Sequence, residues 1–208
     1  MKSRISSRSK RDKVDRSTIE YYNRNAAEYA EKTRYVYMHD TRTAFLDYVD
    51  PDARIADIGC GGGRDKKIFE ELGYIVDAID ASPEMCEAAS EYTEDTVQCC
   101  DINEWTSRYS YGGIWCCASL LHLKEEEFFA FFRKAVNYLD RGGALYFSMK
   151  KGITDGYDDQ GRYYLSFDDE RMKRILAENP EYIRAEYWET ADNMNRDIAW
   201  INVILKKR

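Results

Sequence analysis

Ala56-Asp57-Ile58-Gly59-Cys60-Gly61-Gly62-Gly63-Arg64-Asp65 is the stretch whose reading decides the fold. An apolar β-type run, Arg54 to Ile58, feeds a glycine-dense turn, and a helical pattern begins directly after it. Glycine at such a junction reaches backbone angles closed to other residues and lets main chain approach a ligand. The helix behind it aims unpaired N–H groups back at the turn, which suits an anionic or zwitterionic ligand. A second apolar run, Tyr74 to Ile79, ends in Asp80. That carboxylate lies about 20 residues past the glycines, where a side chain gripping ribose hydroxyls is expected. Loop and carboxylate together imply a cofactor that carries a nucleoside.

Outward from this unit, strands and helices alternate. Helix Arg64–Leu72 is stopped by Gly73. Helix Pro83–Ser90 has Ser82 as N-cap and Pro83 at its first position. Strand Thr96–Cys99, strand Gly113–Ala118, helix Lys124–Leu139 and strand Ala144–Met149 follow. Apolar strands separated by amphipathic helices read as βαβ units, and right-handed crossovers then favour a doubly wound, Rossmann-like sheet covered on both faces. The end departs from this rhythm. Lys150 to Arg162 is polar and glycine-bearing and reads as a mobile loop, helix Asp168–Glu178 follows, and runs Tyr182–Thr190 and Ile198–Lys206 are joined by a bend at Asp192 to Asp197. Two adjacent strands with no helix between them predict an antiparallel hairpin that closes the sheet.

Before the glycine loop, residues 1–16 read as a flexible basic tail and 17–208 as one domain whose first part, 17–50, forms a helical lid. Ser17 or Thr18 is placed to cap a helix running to Lys32, and a second helix spans Asp40 to Tyr48. Tyr21, Tyr22 and Tyr29 either rest that first helix on the core or line the cofactor pocket. The chain has 208 residues, enough for one full core. Its net charge of −7 argues against a surface built for non-specific nucleic-acid binding, although the tail keeps a local contact open. No apolar run reaches the length of a membrane span, and Met1 to Arg16 lacks the apolar segment of a secretory signal. The six cysteines show no CxxC spacing, and with two histidines a metal site is not expected. They read as reduced thiols of a cytoplasmic protein.

A nicotinamide turn, G-x-G-x-x-G, fails at Arg64, whereas D-x-G-x-G-x-G is complete at Asp57, Gly59, Gly61 and Gly63. With Asp80-Ala81-Ser82-Pro83-Glu84-Met85, Cys100-Asp101-Ile102 and Gly113-Ile114-Trp115-Cys116-Cys117-Ala118-Ser119-Leu120-Leu121-His122-Leu123, four separated motifs resemble the class I S-adenosylmethionine-dependent methyltransferases. The resemblance runs from about Thr18 to the C-terminus. It is nearest the compact tellurite-resistance-like and ubiquinone-biosynthesis-like branches, and it implies seven strands with the reversed last strand between the fifth and sixth. Two positions depart from the pattern: Gly113 stands where an aspartate is usual, and Arg141 where a proline is.

The resemblance also implies roles. Asp57 and the Gly59-Cys60-Gly61 to Gly63 backbone face the methionine end of S-adenosylmethionine. Asp80 holds the ribose, Met85 or Ala81 packs near adenine, Asp101 accepts from the adenine amino group with the Ile102 amide nearby, and the backbone around Cys117–Ala118 approaches the ammonium. Tyr22 is added as a lid contact. Taken singly, Asp101 also reads as a turn residue and Met85 as helix packing.

A sulfonium methyl is already electrophilic, so the protein mainly has to align a nucleophile, and no catalytic dyad is required. His122, after the fourth strand, is either a general base or a loop-fixing hydrogen-bond partner. Lys150, Lys151 and Arg162 are either an anion-binding set or solvated. The [Asp/Asn]-Pro-Pro-[Tyr/Phe] element of base- and glutamine-methylating enzymes is absent, since Cys117-Ala118-Ser119-Leu120 stands there. The expected activity is methyl transfer to O, N or S of a small molecule. An RNA or protein acceptor reached by the basic tail, and a catalytically silent cofactor-binding module, are the alternatives.

Overall fold

The computed structural model describes residues 15–194 and 196–208. The basic tail expected for the first 16 residues falls almost wholly outside them. The first described element is α1 (Arg16–Arg34), capped by Asp15, whose side chain accepts the Ser17 N–H at 3.0 Å. The cap is thus Asp15 and not Ser17 or Thr18, because both of those side chains bond elsewhere: Ser17 Oγ donates to Gly161 O at 2.6 Å, and Thr18 Oγ1 accepts the Tyr163 N–H at 2.9 Å. Then come α2 (His39–Leu46), β1 (Arg54–Ile58), α3 (Arg64–Glu71), β2 (Ile75–Asp80), α4 (Pro83–Thr93), β3 (Gln98–Cys99), β4 (Tyr111–Cys116), a 3₁₀ turn at Leu120–His122, α5 (Glu125–Ala135) and β5 (Leu139–Lys150). The chain closes with β6 (Gly156–Tyr157), β7 (Tyr163–Tyr164), α6 (Asp169–Glu178), β8 (Tyr182–Ala191) and β9 (Ala199–Lys207).

The seven-stranded sheet runs β3-β2-β1-β4-β5-β9-β8, with β9 antiparallel to both of its neighbours. This is the expected doubly wound order with the reversed last strand between the fifth and sixth of the sheet. Side chains alternate across it because the strand period is two. Ala56, Ile58, Ile114, Cys116, Leu145 and Phe147 face a cluster built with Phe128 and Phe132 of α5. Ile55, Trp115, Ala144 and Tyr146 face the other way, against Phe45 of α2 and Phe69 of α3. On that second face Trp115 stacks on Tyr146 with centroids 4.0 Å apart. Gly113 makes room for Phe45: a Cβ there would lie 2.5 Å from the Phe45 ring. The missing aspartate of the fourth motif therefore has a packing reason.

Three expectations change. Leu139-Asp140-Arg141-Gly142-Gly143 is not a turn before β5 but part of it. Leu139 pairs with Tyr111 and Ala144 with Gly113, so the residues between bulge out, helped by Gly142 at φ +82°. Helix α5 accordingly ends early, at Ala135. The segment after β5, expected as a mobile loop, carries the β6–β7 ladder, in which Gly156 pairs with Tyr164 and Tyr157 with Tyr163. Thr18 and Ser17 of α1 bond directly to this hairpin, contacts that no local pattern encodes.

Candidate functional site

The glycine loop is set by β1 and β2 together. Gly59 and Cys60 donate their N–H groups to Ile79 O at 2.8 and 3.0 Å, which bends the chain off the end of β1. Gly59 sits at φ +72°, and a Cβ on it would lie 2.4 Å from Ser119 Cβ, so only glycine fits against the β4 end. Gly61 donates its N–H to Asp80 Oδ2 at 2.9 Å, and Asp80 Oδ1 accepts the Ser82 N–H at 2.9 Å. One carboxylate therefore braces the loop, starts α4 and still faces the cavity. Burial raises its pKa, while the N–H groups of Ser82, Gly61 and Ala81 oppose that rise.

Asp57 lies beneath the loop, 2 % exposed, and its Oδ2 has no partner among the described residues; neither does the buried Ser119 Oγ beside it on the cavity wall. Burial, then the nearby Asp65, pushes the Asp57 carboxyl well above the usual carboxylate range. Next to it sits a buried ion cluster. Asp65 accepts from Arg64 Nε at 3.0 Å, Arg42 Nη1 at 2.7 Å and Trp115 Nε1 at 3.0 Å. Burial alone would raise the Asp65 pKa, but Arg64 and Arg42 outweigh it and hold the carboxyl below its ordinary value. Arg64 Nη2 also reaches Cys117 Sγ at 3.5 Å, and burial pushes the Cys117 thiol up to about 11.

At the other end of the same cavity, His122 is 8 % exposed. Its Nδ1 is 2.7 Å from Tyr163 O, and its Nε2 is 2.9 Å from the Tyr22 hydroxyl. The carbonyl accepts only, so the neutral ring carries its proton on Nδ1 and Nε2 accepts from Tyr22. Burial brings the His122 pKa down to about 4. Tyr164, Lys150, Arg162, Arg196 and Trp200 complete this end.

Of the residues expected at the site, Tyr22, Asp57, Gly59, Cys60, Gly61, Asp80, Ala81, Met85, Ile102, Cys117 and His122 all line this one cavity. Gly63 and Asp101 are not among its lining residues. Gly63 caps α3 at φ +81°, and its missing Cβ is required by α4, where Thr93 Cγ2 would be 2.9 Å away. Asp101 accepts the Asn103 N–H at 2.8 Å in the turn after β3, while Cys100 and Ile102 on either side line the wall. Arg64 and Ser119 line the cavity without having been expected there, and Gly62, expected only as part of the loop backbone, lines it too. Gly62 is a contact point for the lid, since a Cβ there would lie 2.7 Å from Ala30 Cβ of α1. Arg64 and Asp65 stood in the decisive stretch but were given no role beyond opening the helix after the loop. Among the described residues no group of three or more His, Cys, Asp or Glu side chains is placed to hold a metal, and no helix is long and apolar enough to cross a membrane.

An unpartnered carboxylate oxygen, a second unpartnered hydroxyl and a loop-bracing carboxylate in one cavity fit a ligand with a cationic amine at one end and hydroxyls in the middle. S-adenosylmethionine, the cofactor the resemblance implies, has both. Comparison with known proteins gives the same direction. Residues 55–143 match the methyltransferase domain family. A ubiquinone biosynthesis O-methyltransferase of Xanthomonas campestris pv. campestris is 29% identical over 123 residues, which are 53% of this chain and 51% of that protein. The chain thus spans about half the length of the curated relatives it matches. Among solved structures, the 1,6-didemethyltoxoflavin-N1-methyltransferase of Burkholderia thailandensis, with bound 1,6-didemethyltoxoflavin and S-adenosylhomocysteine, superposes with a TM-score of 0.75 at 16% identity, covering 92% of this chain and 88% of that one. The magnesium protoporphyrin IX methyltransferase of Synechocystis PCC 6803, with bound SAM, gives 0.68 at 18% identity, covering 95% and 99%. Fold order, glycine loop and domain match agree: residues 55–143 match the methyltransferase domain family, and the chain has the class I methyltransferase fold.

Proposed function

We propose that the chain transfers the methyl group of S-adenosylmethionine to O, N or S of a small molecule. The observation that carries this reading is Asp57 Oδ2, a buried oxygen without a partner in the cavity that Asp80 shares. A buried polar group left unmatched costs about 1–3 kcal/mol, and an ammonium placed there would recover that cost and return Asp57 to its charged form. In this reading Asp57 and Ser119 hold the amine and Asp80 the ribose hydroxyls. Ala81, Met85 and Ile102 pack on the base, and the Cys60–Gly61 and Cys117–Ala118 backbone closes over the methionine part. Asp101 is retained as a contact to the adenine edge, reached by rearrangement of its turn.

Bound there, the cofactor supplies a methyl group made electrophilic by its sulfonium. The chain's task is to orient the acceptor and exclude water, which contributes roughly 7–11 kcal/mol when the alignment is good. Helix α1 does both, because Gly62 lets it sit directly on the loop and Tyr22 reaches the cavity wall. His122 accepts the Tyr22 hydroxyl and holds that ring; taking a proton from the acceptor itself would require Tyr22 to turn away. The names of the relatives support a small-molecule acceptor, since they include enzymes of ubiquinone biosynthesis, a toxoflavin precursor and a porphyrin. A reducing, cytoplasmic setting belongs to the same reading and rests on six free cysteines.

Labelled S-adenosylmethionine offered with fractionated metabolite, RNA and protein pools tests the proposal. Label passing into the metabolite pool is expected. Label passing only into RNA or protein would overturn the small-molecule acceptor, and no transfer to any pool would overturn the activity.

A further inference from the structure

Lys150 closes β5 and lines the end of the cavity away from Asp80. It is partly buried, and among the described residues its ammonium has no hydrogen bond and no carboxylate partner; its Nζ lies over the Tyr164 ring, 3.8 Å from the centroid. The carboxylates nearby are already taken. Arg162 uses Nε and Nη2 on Asp158 at 2.9 and 2.7 Å. Arg196 uses Nε and Nη2 on Asp192 at 2.9 and 2.6 Å. Each arginine and its aspartate cancel, and Lys150 is left as one uncompensated positive charge on the wall. By contrast, the neighbouring Lys151 points outward and pairs with Glu189 at 2.6 Å.

A partly desolvated ammonium without a counter-charge is unfavourable unless something else supplies one. Burial, then Arg162 and Arg196, lower the Lys150 pKa to about 8, against the pull of Asp158 and Asp192. The group is therefore still charged at neutral pH, and it acts there as a cation and not as a base. The walls around it are flat: Tyr22, Tyr164 and Trp200 line the same space. Rings of this kind stack on a conjugated ligand while leaving its edge to a polar group.

We propose that this end of the cavity binds the methyl acceptor through an anionic oxygen group on a flat conjugated ring, with Lys150 as the counter-charge that selects it. The proposal rests on the methyltransferase reading above and adds the charge and shape of its acceptor. Lys150 is a specificity-determining residue here, and its pairing with the anion replaces the carboxylate that the fold does not give it.

Calorimetric titration of the protein saturated with S-adenosylhomocysteine tests this, with two matched probe pairs: benzoate against benzamide, and para-hydroxybenzoate against para-hydroxybenzamide. Wild type is expected to bind each acid at least about tenfold tighter than its amide, the scale of a charge-assisted pair in a partly dry site. Lys150→Met should bring acid and amide to parity, and Lys150→Arg should keep most of the preference. Affinity for S-adenosylhomocysteine should be the same in all three proteins, which also reports that the variants are folded. A wild type that shows no preference for the acids, whether it binds both members of a pair alike or neither, overturns the proposal. So does a preference that survives in Lys150→Met. Failure of S-adenosylhomocysteine itself to bind would instead strike the reading on which the proposal stands.

Discussion

The two ends of the one cavity are built in different ways. The Asp80 end is assembled from consecutive βα units, and its key bond, Gly61 N–H to Asp80, spans 19 residues. The Lys150 end is assembled across the whole chain. Tyr22 meets His122 over 100 residues, Thr18 meets Tyr163 over 145 and Ser17 meets Gly161 over 144. The first end uses backbone geometry that glycines and strand ends dictate locally. The second exists only once α1, the β6–β7 hairpin and the β8–β9 bend have docked. A fold can therefore keep one ligand fixed by local rules and vary the other by changing what docks at the far end.

The comparison can be broken most sharply at Asp65, which ties the helix after the glycine loop to α2 and β4. Asp65→Ala leaves Arg64 and Arg42 without their shared buried partner. It should cost about 3–5 kcal/mol in urea unfolding, as expected when one member of a buried ion cluster is removed. A loss under about 1 kcal/mol would mean that the cluster does not brace the loop.

Gly62 joins the two ends. Gly62→Val drives a side chain into Ala30 and should cost about 1–3 kcal/mol by overpacking. Because α1 is the part that can yield, hydrogen exchange should quicken in Arg16–Arg34 and stay slow in β1 and β4. Equal quickening in all three would show that α1 is not a separately docked element.

A smaller, pH-dependent effect isolates the far end. The His122 pKa falls on folding from its ordinary value near 6.5 to about 4. Between those values the unfolded chain binds the extra proton, so stability from burying the neutral ring is complete above about pH 6.5 and is lost as pH falls toward 4. Gln at this position keeps a donor and an acceptor but does not titrate. The stability advantage of wild type over His122→Gln should be level from pH 7 to 8 and smaller by about 1–2 kcal/mol at pH 5.5. A difference that is flat across this range would place His122 in contact with solvent.

The same contrast explains what was legible in the sequence. The turn after β1, Asp80 at the end of β2 and Ser82-Pro83 opening α4 are local signals, and these elements form where the sequence put them. The alternating strands gave the sheet order because crossover handedness leaves few choices. Gly63 packs against α4, and in a one-dimensional pattern a glycine that faces a ligand looks the same as one that faces a helix. Arg64 and Asp65 were passed over because two adjacent charges at a helix start usually face water, and only Arg42 and Trp115, from distant elements, bury them. The β6–β7 hairpin was read as a loop because its two-residue strands are held by α1 and not by their own propensity. Lys150 and Lys151 are indistinguishable by type. The strand's alternation and the docking of Arg162 and Arg196 separate the one that lines the cavity from the one that pairs on the surface.

The central claim is that Asp80 and the loop it braces form the S-adenosylmethionine site. Calorimetric titration of wild type and Asp80→Ala with S-adenosylhomocysteine tests it most directly. Wild type should bind at one saturable site, and Asp80→Ala should bind more weakly by about 1–3 kcal/mol, since the ribose hydroxyls lose their acceptor. Equal affinity in the two proteins, with the variant folded, would contradict the assignment.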